Sequence, residues 1–188
     1  MGINFGFDLP EDVVYAPQSD LSGIFEEEPV SLRTFFQDKK FLNAEWYLSP
    51  EQERVVQGIE RVLYPETFQL MGDEFGGYWD ETRDIPVKNL FAVEWGKGGG
   101  KDETIRVAAQ RIAYLLLCMK SPQEYFSLPR DASIHLLNIA YNAPQAHRAF
   151  FEPLAKRVRA SSWFNDRAHA VQNQIQYDKN ILAISGHS

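Results

Sequence analysis

Apolar residues along this chain alternate between helix-like spacing and short continuous runs, and that alternation predicts an α/β fold. From Ser31, Leu32, Phe35 and Phe36 share one helical face, and Leu42 to Leu48 adds a second apolar cluster. Ser49-Pro50-Glu51-Gln52 reads as a helix start: Ser49 as N-cap, Pro50 at the first helical position, Gln52 closing a capping box. That helix carries Val55, Val56, Ile59, Val62 and Leu63 and stops at Pro65. Gly72 to Pro86, rich in Gly, Asp and aromatics, reads as an irregular loop before an apolar strand at Leu90-Phe91-Ala92-Val93. Ile105, Ala109, Ile112, Leu116 and Met119 then mark a long helix, broken at Ser121-Pro122.

Ser133 to Ala140 is a buried strand by its continuous apolar run, and Pro144 opens a helix carrying Ala149, Phe150, Leu154 and Val158. Residues 160–174 are polar and give no periodic signal, and Ile181 to Ser185 is a last strand. Strands alternating with helices predict a parallel sheet flanked by helices, with the ligand at the strands' carboxyl ends. Residues 1–30 hold Pro10, Pro17, Pro29 and the triplet Glu26-Glu27-Glu28, and read as a poorly ordered or partner-dependent arm. Residues 31–188 form the domain. There is no internal repeat.

The chemistry concentrates between the Leu90–Val93 strand and the helix after it. Trp95-Gly96-Lys97-Gly98-Gly99-Gly100-Lys101-Asp102 is a glycine loop ending in Gly-Lys at the mouth of a helix, the setting in which a P-loop cradles nucleotide phosphates. Glycines let backbone N–H groups close on phosphate oxygens, the helix start adds positive dipole, and the lysine supplies a point charge. The general pattern has glycine where this chain has Trp95 and a magnesium-binding hydroxyl where it has Asp102. A flexible glycine loop would explain the composition but not the terminal Gly-Lys. Thr104 is a substitute hydroxyl, although two residues along a helix points it elsewhere.

Composition narrows the rest. The 188 residues suffice for one domain with a sizeable core, and 44% hydrophobic content is ordinary for a globular protein. The single cysteine, Cys118, excludes an internal disulfide; inside an apolar helix it reads as a buried thiol. Four scattered histidines and one cysteine offer no metal-ligand spacing. The N-terminus lacks a signal-peptide pattern, and the longest apolar run, Ile112 to Met119, is too short for a bilayer, so a soluble chain without a membrane partner is expected. The net charge of −7 is uneven: residues 1–95 hold 7 Lys/Arg against 19 Asp/Glu, residues 96–188 hold 12 against 7. Two readings follow: a second half that tolerates a polyanion, or two halves that attract each other. His147, Arg148, Lys156, Arg157, Arg159 and Arg167 carry the basic surplus, as a DNA-phosphate track or as a solvated helix face.

Leu48-Ser49-Pro50-Glu51-Gln52, the stretch from Val93 to Asp102, Ala140-Tyr141-Asn142-Ala143-Pro144-Gln145-Ala146 and Ile184-Ser185-Gly186-His187-Ser188 together resemble the large terminase subunit of tailed bacteriophages. The resemblance runs from about residue 31 onward, and its motif order is more specific than any single motif. It implies a partial P-loop NTPase of RecA-like type: the ATP-binding part of a motor that uses ATP and Mg²⁺ to drive double-stranded DNA into a capsid. It further implies portal and small terminase partners, a homo-oligomeric ring and the host cytoplasm as the place of action.

Residue by residue, the resemblance implies phosphate contact by Gly96, Gly98, Gly99, Gly100 and Lys101, and Lys97 near the γ-phosphate. It places Asp102 at the metal position and Gln52 as the adenine reader. From the residues alone Gln52 serves equally as a cap, and Lys97 as a solvated loop lysine. The family's second acidic motif, four apolar residues then Asp-Glu, is absent: Glu124, Asp131, Glu152, Asp166 and Asp178 follow no such run. The expectation is therefore the N-terminal part of a longer ATPase. Two rivals stand beside it: a helicase-like ATPase, and a nucleotide-binding assembly module without turnover.

Overall fold

The computed structural model describes residues 23–63, 98–140, 144, 147–171 and 174–187. The N-terminal segment 1–22, the loop read at Gly72–Pro86, the Leu90–Val93 strand and loop residues Trp95, Gly96 and Lys97 lie outside the described residues. So do the end of the second helix at Pro65, most of the Tyr141–Ala146 stretch, and Ser188.

Helix α1 spans Leu32–Gln37, capped by Ser31, whose hydroxyl accepts from Thr34 N at 3.1 Å. The apolar spacing read from Leu32, Phe35 and Phe36 is the face that it buries. Helix α2 spans Pro50–Leu63. Helix α3, Lys101–Cys118, is the central element and is buried on several sides: Val107, Ala113, Tyr114, Leu115 and Cys118 are all inaccessible. Around its second half packs an aromatic cluster in which Tyr114 meets Phe35 at 4.9 Å and Trp163 at 4.8 Å between ring centroids. Cys118 is fully buried, and burial pushes its thiol up to about 12, which removes it as a nucleophile at neutral pH.

After the short helix α4 (Pro122–Tyr125) come strand β1 (Ile134–Ala140), a π-helical turn at His147–Phe151 and helix α5 (Glu152–Ala160). A four-residue helix α6 (Ser162–Asn165) leads to β2 (Ala168–Ala170), β3 (Gln174–Tyr177) and β4 (Ile181–His187). The sheet order is β1-β4-β3-β2. β1 and β4 are parallel, with Leu137 opposite Ile184; β3 is antiparallel to both β4 and β2. The α/β class holds, and the all-parallel sheet does not. The polar stretch 160–174 holds α6 and β2 and leads into β3, which forms a tight hairpin with β4. Lys179 and Asn180 turn it with φ of 59° and 55°. Among the described residues no helix is long and apolar enough to cross a membrane.

Residues 23–30, assigned to the arm from sequence, pack on the domain. Phe25 forms a β-bridge with Met119, Glu26 N donates to Cys118 O at 2.9 Å, and Lys120 N donates to Ile24 O at 2.8 Å. The acidic triplet meets basic residues of the second half. Glu26 takes Lys179 Nζ at 2.5 Å, and Glu27 takes Arg167 at 3.5 Å and the Trp163 indole N–H at 2.9 Å. Part of the uneven charge is therefore spent on joining the two halves.

Candidate functional site: the glycine loop at the start of the central helix

Gly98 and Gly100 hold φ of 85° and 72°, backbone that side chains rarely adopt. Gly100 is the N-cap residue of α3 and, lacking a side chain, leaves the helix end uncapped. The first ladder bond runs from Thr104 N to Gly100 O at 2.9 Å. The amides of Lys101, Asp102 and Glu103 therefore have no carbonyl behind them in the helix, and the helix dipole places partial positive charge there. Lys101 is exposed and carries no hydrogen bond or ion pair among the described residues, which leaves its ammonium available to an anion. A loop with backbone open to approach, free helix amides and one unpaired cation suits phosphate.

The metal position is less well furnished. Asp102 is exposed on the first turn of α3, where a carboxylate would be free to help hold a cation. Thr104 is fully buried, and its hydroxyl donates back to Gly100 O at 3.1 Å, so it does not replace the missing P-loop hydroxyl. No group of three or more metal-ligating side chains occurs among the described residues. Magnesium fits here as a companion of the phosphates, held by one carboxylate and water, rather than in a protein cage.

Gln52 stands against this loop. Its backbone N–H donates to Ser49 Oγ at 3.3 Å, and its Oε1 accepts from Ser49 N at 2.9 Å, so the capping box is formed in both directions. Its Nε2 donates to Gly99 O at 3.2 Å. A Cβ on Gly100 would meet that same Nε2, which would have to swing off Gly99 O, and the positive φ favours glycine at 100. Both ends of the amide are thus engaged, one by the helix cap and one by the glycine loop. The predicted residues Gln52, Gly98, Gly99, Gly100, Lys101 and Asp102 come together; Gly96 and Lys97 lie outside the described residues.

Beside this loop sits an ion cluster that sequence reading missed. Glu103, on the first turn of α3, pairs with Arg106 at 2.7 Å and also with Arg157 of α5; Arg106 in turn donates to Ala149 O in the π-helical turn. The Glu103/Arg106 spacing of three was a readable helix pair. Arg157, more than fifty positions away, gave no local signal. The cluster ties α3 to the segment that follows β1.

Residues 11–188 match the family model described as Uncharacterized protein MJ0330, N-terminal P-loop domain. The chain belongs to this family. No curated protein and no solved structure matches it. Membership in the MJ0330 N-terminal P-loop family shows a P-loop domain and supports nucleotide binding. It carries no indication of a terminase, a phage or DNA packaging.

Proposed function

We propose that this P-loop domain binds ATP with Mg²⁺ and is the ATP-binding part of a RecA-like DNA-translocating motor of the terminase type. The observation that carries nucleotide binding is the loop itself: two left-handed glycines, an uncapped helix start and an exposed Lys101 with no partner among the described residues. The motor reading rests on the order of the four motifs from Leu48 to Ser188, with Gln52 ahead of the loop. Portal and small terminase partners, a homo-oligomeric ring and action in a host cytoplasm belong to that same reading.

Adenine recognition by Gln52 requires its Nε2 to exchange Gly99 O for the base, while Oε1 remains on the helix cap. Calorimetric titration tests this. The chain is expected to bind Mg-ATP, and Gln52→Ala is expected to weaken ATP about tenfold, the worth of one or two hydrogen bonds, with GTP much less affected. Equal weakening of ATP and GTP would reduce Gln52 to a cap and loop brace. No binding of ATP at millimolar concentration would sink the proposal.

DNA contact is assigned to the basic residues after β1, and the structure narrows them. Arg157 is held by Glu103, and Arg167 by Glu27 and the Trp163 ring. Arg148, Lys156 and Arg159 are the exposed members. A motor that moves any sequence must grip phosphates, so binding is expected to be independent of sequence and to weaken with salt. Titration of duplex DNA at two salt concentrations, with Arg148→Ala/Lys156→Ala/Arg159→Ala as the control, checks it. Undetectable binding at low salt would make these residues a solvated helix face.

A further inference from the structure

A second concavity lies one ion pair away from the phosphate loop. It encloses about 300 Å³ and is lined by Leu42, Asn43, Ala44, Glu45, Trp46 and Arg157 with Phe36 behind them. Two connections place it next to the cradle. Arg157 in its wall is bound to Glu103, two residues beyond Lys101, or about 3 Å of helical rise. The loop that forms its floor runs into Ser49 and Gln52, and Gln52 holds Gly99.

The lining has the chemistry of a base subsite. Trp46 is 45% exposed and is held edge-on by buried Phe36, with ring centroids 5.0 Å apart and planes at 75°. An exposed indole, braced from behind, is a stacking platform for a heteroaromatic ring. The exposed side chains of Asn43 and Glu45 make no hydrogen bond among the described residues, and Asn43 is held at φ 49°. An amide offers both a donor and an acceptor to ring nitrogens, and a carboxylate accepts from an exocyclic amine. Glu45 has no ion pair among the described residues, whereas the Arg157 charge is already met by Glu103, so a second phosphate is disfavoured and a neutral ring is favoured. The loop is anchored: Leu48 is buried, and the Tyr47 hydroxyl donates to Glu53 at 2.6 Å. The volume suits a base rather than a whole nucleotide.

We infer that this concavity receives the amino-purine base of the nucleotide whose phosphates lie on the glycine loop, with the base stacked on Trp46. The inference rests on the cradle reading above and extends it to residues upstream of Gln52.

The test compares ATP with inorganic tripolyphosphate, which presents the phosphates without a base. Trp46→Ala is expected to weaken ATP about tenfold and to leave tripolyphosphate unchanged, since stacking on an aromatic ring is of that order. Trp46→Phe, which keeps a ring, is expected to retain most of the ATP affinity, and circular dichroism of each variant checks that the half-exposed site tolerates the change. ATP affinity unchanged in Trp46→Ala overturns the base subsite while leaving the cradle intact. Equal weakening of ATP and tripolyphosphate also overturns it, by making Trp46 a support of the loop. If the unaltered chain binds neither ligand, or if Lys101→Ala leaves tripolyphosphate binding as it was, the cradle reading itself has failed.

Discussion

Lys101→Ala is expected to weaken Mg-ATP binding by about a hundredfold, the worth of a charge-assisted bond to phosphate of roughly 2–3 kcal/mol. The side chain is exposed and has no partner in the described structure, so its removal leaves no orphaned group behind and the fold should be unchanged. That separation is useful, because the loss then reports on the ligand alone. The readout is the rise in unfolding temperature that saturating nucleotide gives to the unaltered chain, which the variant should lack. Lys101→Arg should not restore full affinity, since a planar guanidinium cannot take the place of a compact ammonium inside a tight loop. Nucleotide binding that survives Lys101→Ala intact would place the phosphates elsewhere.

The parts legible in the sequence are those whose cause is local. The capping box at Ser49–Gln52 is a three-residue relation and formed as read. The turns of α1, α2 and α3 followed from apolar residues three and four apart, and β1 and β4 from continuous apolar runs, but β1 is not the buried strand its run predicted: it lies at one end of the described sheet order, with Leu137 61% and Ile139 69% exposed. Glycine and lysine at the end of a loop marked the start of α3, where Gly98 and Gly100 take positive φ, because the constraint there is on the backbone. The β2–β3–β4 connection was missed for a physical reason. Its strands are three, four and seven residues long, and the turn uses Lys179 and Asn180 at positive φ with no glycine to announce it. The alternation of Gln174, Ile175, Gln176 and Tyr177, with Ile175 and Tyr177 buried, was the available signal. Tertiary relations left almost no trace beyond the opposite charge of the two halves. Gln52 to Gly99 spans 47 positions, and Glu26 to Lys179 spans 153. An acidic, proline-containing segment reads as a loose arm until the fold brings Lys179, Arg167 and Trp163 to Glu26 and Glu27. The concavity at Trp46 is likewise legible only once Arg157 and Trp46 share a wall.

The largest stability effect is expected at a pair that takes no part in the cradle. Arg111 on α3 and Glu60 on α2 are both buried, joined by Nε to Oε1 at 2.8 Å. The guanidinium lies 5.3 Å from the Phe35 ring centroid and 5.1 Å from that of Tyr114. Among the described residues Arg111 Nη1 and Nη2 and Glu60 Oε2 have no hydrogen-bond partner, so the pair is incompletely satisfied. Burial raises the Glu60 carboxyl above the usual range, and Arg111 opposes that rise without cancelling it. Arg111→Met is therefore expected to cost about 3–5 kcal/mol at neutral pH, because it leaves a buried carboxylate without its counter-charge. The sign with pH follows from the raised carboxyl. The folded state of the variant holds the Glu60 proton more tightly than the unfolded chain does, so its stability is greatest below the unfolded carboxyl pKa and falls as pH rises through the folded value. The deficit measured by urea unfolding should accordingly shrink on acidification. Glu60→Leu/Arg111→Met, which removes both charges, should recover most of the loss, since a buried ion pair replaced by apolar groups of similar volume is often neutral or better. A double variant no more stable than Arg111→Met would show that packing of the arginine between the two rings, rather than its charge, holds α2 to α3.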